Sequence, residues 1–117
     1  MLVGLYMQNK RMDPIRRLTA PTVEVLRVLL DASGPVWGLR VAKLTGRAPG
    51  SVYPILSRLE ESDWVRAEWE SDEDRAGPRR RLYSLTEDGA QRASQTVAGW
   101  DARAVRPTLR PLGVVEA

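Results

Sequence analysis

The sequence has no cysteine, no histidine and no phenylalanine, and only two of its residues, Lys10 and Lys43, are lysine. Without cysteine, disulfides, thiolate metal sites and cysteine nucleophiles are excluded. Without histidine, the commonest general acid–base group and metal ligand is gone. Carboxylates, serine, tyrosine and lysine remain, but nothing pairs a nucleophile with a base. No enzymatic activity, metal or cofactor is expected. Long apolar runs are lacking too: none approaches the roughly 18–20 residues a membrane span requires. The apolar start Met1–Met7 is too short for a signal-peptide core and has no basic residue ahead of it. These absences, with the lack of disulfides, lead to the expectation of a cytoplasmic protein without a membrane partner.

What is present is enough for one small core. At 117 residues, 43% hydrophobic and 28% charged, the chain reads as a single globular domain. Its net charge of +3 is modest, but the kind of cation is informative. Of eighteen basic residues two are lysine, leaving sixteen arginines. Arginine presents a planar fork that suits phosphates and guanine edges. A coding preference for arginine over lysine accounts for the bias equally well.

Along the chain, residues 1–17 read as an arm carrying Lys10, Arg11, Arg16 and Arg17, with Pro14 interrupting any helix. Thr19 is an N-cap candidate for a helix reaching about Ala32, with Pro21 in its first turn and Val23, Leu26, Leu29 and Leu30 at helical spacing. Gly34 and Pro35 end it. A short helix is predicted over 38–45, with Leu39, Val41 and Ala42 inward, Arg40 and Lys43 on its polar side, and Gly46 as a left-handed C-cap. A third helix over 49–62 carries Val52, Ile55, Leu56 and Leu59 on one stripe. Pro54 is tolerated there, because the carbonyl its ring would meet belongs to Gly50, near the helix start. The period then changes to two over Trp64–Glu70 and again over Arg79–Leu85, around a loop rich in Asp, Gly, Pro and Ser. Thr86 caps a last helix over 87–106, with Ala90, Ala93, Val97, Trp100 and Ala104 on a weak heptad seam. A tail over 107–117 carries two prolines. The fold class is mainly α with a small β-hairpin: a winged helix-turn-helix domain over 18–86 plus a C-terminal dimerisation helix.

The segment Pro49-Gly50-Ser51-Val52-Tyr53-Pro54-Ile55-Leu56, followed by Arg58-Leu59-Glu60, resembles the recognition-helix motif of PadR-family transcriptional regulators. The run from Gly77 through Arg79-Arg80-Arg81-Leu82-Tyr83-Ser84-Leu85-Thr86 to Gly89 is similar to that family's wing and the glycine of its last helix, and Trp37-Gly38-Leu39 to the start of its second helix. The chain departs from the pattern at Trp37, where a histidine or similar residue is usual, and at Asp63, where a glycine is usual. Its C-terminal part is also shorter than in the larger members. The resemblance implies a dimeric repressor that binds double-stranded DNA at an inverted repeat. By position, Ser51 and Tyr53 face the DNA, the Tyr53 hydroxyl reaching a phosphate, and Arg47 in the turn reaches backbone or base. Arg40 and Lys43 meet phosphates across the groove, and Arg79, Arg80 and Arg81 serve at the wing.

Each assignment has a plainer alternative. Ser51 caps its helix, Tyr53 packs at the core edge, and Arg58 pairs with Glu61 or Asp63. Alternation points Arg80 away from Arg79 and Arg81, so one of the three is structural. Glu70, Asp72, Glu73 and Asp74 balance Arg75 and the three wing arginines, which keeps open a winged-helix adaptor that binds another regulatory protein instead of DNA. The expected dimer interface is Leu26, Ala93, Val97 and Trp100. Trp37 and Trp100 are candidates for holding a small aromatic effector, since some members of the family hold such molecules at the dimer interface. The plainer reading is that the tryptophans supply core and interface area in a chain without phenylalanine.

Overall fold

A computed structural model describes residues 18–71, 77 and 79–116, with side chains as far as Ala104. The expected arm and the acidic stretch Asp72–Asp74 lie outside the described residues. The chain forms α1 (Ala20–Asp31), β1 (Val36–Trp37), α2 (Gly38–Thr45), α3 (Pro49–Glu61), β2 (Val65–Trp69), β3 (Arg81–Leu85) and α4 (Glu87–Glu116). No described helix is long and apolar enough to cross a membrane.

Helix α1 starts where the sequence says it should. The Thr22 amide donates to Thr19 Oγ1 at 3.4 Å, and Pro21 sits in the first turn. It ends at Asp31, with Ala32 extended ahead of Gly34 and Pro35. Its Thr22, Val23, Val25, Leu26 and Leu29 are buried, making it the central element against which the other helices pack.

Helix α2 closes on Gly46 at φ 73°, the left-handed position expected of it. Its inward face differs from expectation. Val41 and Ala42 are buried with Gly38, whereas Leu39 is 43% exposed. A helix beginning at Gly38 puts 38, 41 and 42 on one face and turns 39 about 100° away. Helix α3 buries Val52, Ile55, Leu56 and Leu59 as predicted and carries Pro54 inside it. Its N-cap is Ala48, whose carbonyl accepts from the Ser51 and Val52 amides at 2.9 and 3.1 Å.

The hairpin gains a third strand. The order is β1-β3-β2, all antiparallel, with Val36 opposite Tyr83 and Val65 opposite Leu85. Between α3 and β2 the chain turns through Asp63 at φ 65°, where the Trp64 amide reaches the Leu59 carbonyl at 2.9 Å. Aspartate tolerates this left-handed position better than most residues, though less well than glycine.

Trp64 is 2% exposed and anchors the junction to α4. Its carbonyl accepts from the Thr86 amide at 2.9 Å, Thr86 Oγ1 donates to the Asp63 carbonyl at 2.8 Å, and the Gly89 amide donates to Thr86 Oγ1 at 2.9 Å. Glu87 and Asp88 occupy the first turn of α4, where the positive end of the helix dipole favours them.

Two expectations for the C-terminal helix are corrected. It does not end near Arg106 with a tail over 107–117, but continues to Glu116. A proline removes one amide donor and bends a helix, while the neighbouring amides still carry the ladder forward. The seam, moreover, is used inside the protomer. Ala93 and Val97 are buried and Trp100 is half-buried against the core, on the side where α4 meets α1. Leu26 is fully buried in that core. These residues therefore cover each other, which is how a single α1–α4 pair shields an apolar stripe of mostly small side chains. An ion pair between Arg27 and Asp101, mutually hydrogen-bonded, crosses the outer edge of the same contact and raises the arginine's pKa.

Candidate nucleic-acid interface

The buried stripe of α3 fixes what the helix presents outward. On its other side Gly50, Ser51, Pro54, Ser57, Arg58 and Glu61 are exposed. Positions 50, 54, 57 and 61 recur at helical spacing, so this face is legible once the buried face is known. It is low and mostly uncharged over its first two turns, the part that enters a major groove in a helix-turn-helix. Ser51 belongs to it and is not the cap, since Ala48 holds that position.

Tyr53 is half-buried, and a Cβ at Gly38 would lie 2.6 Å from its Cε1 and 2.7 Å from its hydroxyl. The ring therefore lies across the first residue of α2, using space that only glycine leaves. The contact sets α3 against α2 and leaves the ring partly exposed.

The expected cations fall into distinct groups. Arg40 and Lys43 are exposed on α2. Arg47, in the turn between α2 and α3, is engaged by α1: its Nε and Nη2 donate to the two carboxylate oxygens of Glu24 at 2.9 and 3.0 Å. That hydrogen-bonded pairing holds the Glu24 carboxyl below its ordinary pKa and raises that of Arg47. Fork-on-carboxylate geometry is also the geometry of arginine on phosphate.

At the wing, alternation separates the arginines as the strand period requires. Arg80 turns to one face and lays its guanidinium 4.0 Å above the Trp37 ring centroid, while its amide donates to Glu70 Oε1 at 3.1 Å. Arg80 is thus the one of the three that packs on Trp37. Arg81 turns to the other face, 4.9 Å from the centroid of Trp69, with Nη2 donating to Glu60 Oε2 at 3.3 Å. Arg79 is exposed at the end of β3 nearest the loop. Beneath them Tyr83 is buried, which pushes its phenol pKa up, with the Arg81 charge opposing the shift. Trp69 is 57% exposed beside Arg81, a large apolar surface on the wing that the sequence reading did not assign to the site. Its register opposite Arg81 was the available signal.

The two candidate effector tryptophans do not meet. Trp37 lines a groove with Arg40 and Arg80, whereas Trp100 packs on the core from α4.

A central helix, a helix-turn-helix with an outward stripe, and a wing carrying arginines on both faces are the parts of a DNA reader. The model of the transcriptional regulator PadR-like family matches residues 25–95, more than half of the chain. The chain belongs to the PadR-like family of transcriptional regulators. As a PadR-like protein it is a DNA-binding regulator of transcription and not an enzyme. No curated protein sequence matches it. Among solved structures it is similar to a PadR family transcription regulator from Clostridium difficile, at 20% identity and a TM-score of 0.59 over 77% of this chain and 96% of that one. It is also similar to the PcaV transcriptional regulator of Streptomyces coelicolor, solved with its natural ligand, at 21% identity and a TM-score of 0.66 over 94% of this chain and 73% of that one. MepR, which regulates a Staphylococcus aureus multidrug efflux pump, aligns at 16% identity and a TM-score of 0.63, over 93% of this chain and 78% of that one. At these identities the likenesses speak for the fold.

Proposed function

We propose that this PadR-like protein is a dimeric repressor that binds an inverted-repeat operator. Helix α3 enters the major groove with Ser51, Pro54 and Ser57 toward the base edges. Arg40, Lys43 and, after release from Glu24, Arg47 meet phosphates, and Arg79 and Arg81 serve the wing. The observation that carries the reading is the exposed, low, uncharged outer face of α3 in its first two turns. A bulky or acidic face there would hold the helix out of the groove. A second copy would meet the outer side of α4, where Arg92, Gln95, Ala98, Asp101 and Ala102 are exposed and Trp100 is half-buried. PcaV, of similar fold, was solved with a natural ligand, and a small-molecule effector is part of the proposal.

Selection of bound sequences from a random DNA pool tests this directly. The expected product is a palindrome with half-sites one helical turn, roughly 34 Å, apart. Binding to that site is expected to weaken linearly with log salt, and Arg40→Ala with Lys43→Ala should flatten the slope by about 1.8, at ~0.9 per lost phosphate contact. An unaltered slope in the folded double variant rejects the two contacts. No enrichment at low salt rejects operator binding in favour of an adaptor. Glu24→Gln should tighten DNA binding about two- to fivefold, the range of a surface ion pair, and steepen the slope as Arg47 is released. Weaker binding would show that the pair orients Arg47 for DNA and does not withhold it.

A further inference from the structure

Trp69 is more exposed than any other large apolar side chain among the described residues. It ends β2, and the ladder behind it settles which way it faces. Trp69 stands opposite Arg81, followed by Ala67 opposite Tyr83 and Val65 opposite Leu85. Val65 and Tyr83 are buried, so this is the inner side of the sheet, the side that packs on α3. From that side Arg81 donates to Glu60 of α3. Arg66 and Glu68 alternate to the other side, which takes the carboxylate nearest in β2 away from the indole. Trp69 therefore projects from the α3 side of the wing, past the part of the sheet that the helix covers.

The indole is open on one face only, because the guanidinium of Arg81 lies over the other, 4.9 Å from the ring centroid. Insertion between stacked base pairs uses both faces of a ring, so with Arg81 in place it is excluded. One open apolar face beside Arg79 and Arg81 matches a surface that is itself apolar between two charged rails. In duplex DNA that surface is the deoxyribose wall of the minor groove.

We propose that Trp69 is an uncharged DNA contact: its open face packs on the deoxyribose wall of the minor groove under the wing, and Arg79 and Arg81 take the phosphates to either side. The inference rests on the DNA-binding reading and deepens it, adding an apolar contact to a set of cations. Its energy comes from area removed from water, so it adds to affinity and nothing to the counterion slope.

Titration of the full chain against a labelled duplex carrying the selected operator, at several salt concentrations, tests this. Trp69→Leu should weaken binding about tenfold at an unchanged slope. Arg81→Met, which keeps a stem against the indole, should lower the slope by ~0.9. If Trp69→Leu flattens the slope in the same way, the indole only holds Arg81 and the proposal falls. Full affinity in folded Trp69→Leu also overturns it and gives the patch to a protein partner. A wild-type chain that binds no duplex ends the DNA-binding reading itself, a result distinct from both. Acrylamide quenching decides the matter if Trp69→Leu fails to fold. Trp64 is buried and Trp37 and Trp100 are half-buried, so the readily quenched emission belongs to Trp69. It should become protected when the operator is added, and undiminished quenching in the complex overturns the proposal.

Discussion

Gly89→Ala is expected to cost at least about 3 kcal/mol and to lower the thermal midpoint by 10 °C or more, although alanine is the better helix former by ~1 kcal/mol. A Cβ at this position would lie 2.0 Å from the Trp64 carbonyl oxygen and 2.7 Å from its carbon. Neither can withdraw cheaply. The Thr86 amide holds that oxygen at 2.9 Å, and the Trp64 side chain is buried in the core. Relief requires α4 to lift from the α3–β2 junction, which breaks the Thr86 cap and uncovers Ala93 and Val97. Gly99→Ala is the control on the same helix, since a Cβ there finds nothing nearer than Arg103 Nη1 at 3.9 Å. It should be neutral or stabilising by up to about 1 kcal/mol. Thermal unfolding of both variants checks the pair, and equal midpoints would mean the close approach of α4 to Trp64 is wrong.

The second large effect is at the outward face of α3. Ser51→Glu should weaken operator binding at least about 30-fold, some 2 kcal/mol, by setting a carboxylate against phosphates and acceptor-rich base edges. It should do so without loss of stability. A carboxylate in the first turn of a helix gains about 0.3–1 kcal/mol from the dipole, and Ser51 is exposed with no core contact to lose. Binding and stability thus move in opposite directions, a combination that misfolding cannot imitate. Ser51→Ala separates lost hydrogen bonding from added repulsion and should cost far less. Unchanged affinity in Ser51→Glu would place the DNA elsewhere than on α3.

What was legible in the sequence is what is decided locally. Thr19 and Thr86 as caps, Gly46 as a left-handed stop and the 52-55-56-59 stripe all depend on neighbours within one or two turns, and the helices begin and end accordingly. Strand β1 was not legible: two residues carry no period, and its partners lie at 82–83. The seam of α4 was read correctly as apolar, but periodicity cannot say whose apolar surface it meets, and that surface belongs to α1. Tyr53 shows the same limit. Its place on α3 is local, but only the bare backbone of Gly38 decides where its ring lies. The engagement of Arg47 by Glu24, across 23 positions, has no local signature at all.

The middle position of β3 ties together two parts that are usually discussed separately. One neighbour, β2, is the other arm of the wing. The other is β1, whose second residue, Trp37, is also the N-cap of α2. In the proposed complex, a displacement of the wing on the nucleic-acid backbone would therefore be carried through a single strand to the base of the helix-turn-helix. On that proposal the two halves of the reader would seat as one piece, so a poor fit under the hairpin would be felt along α3.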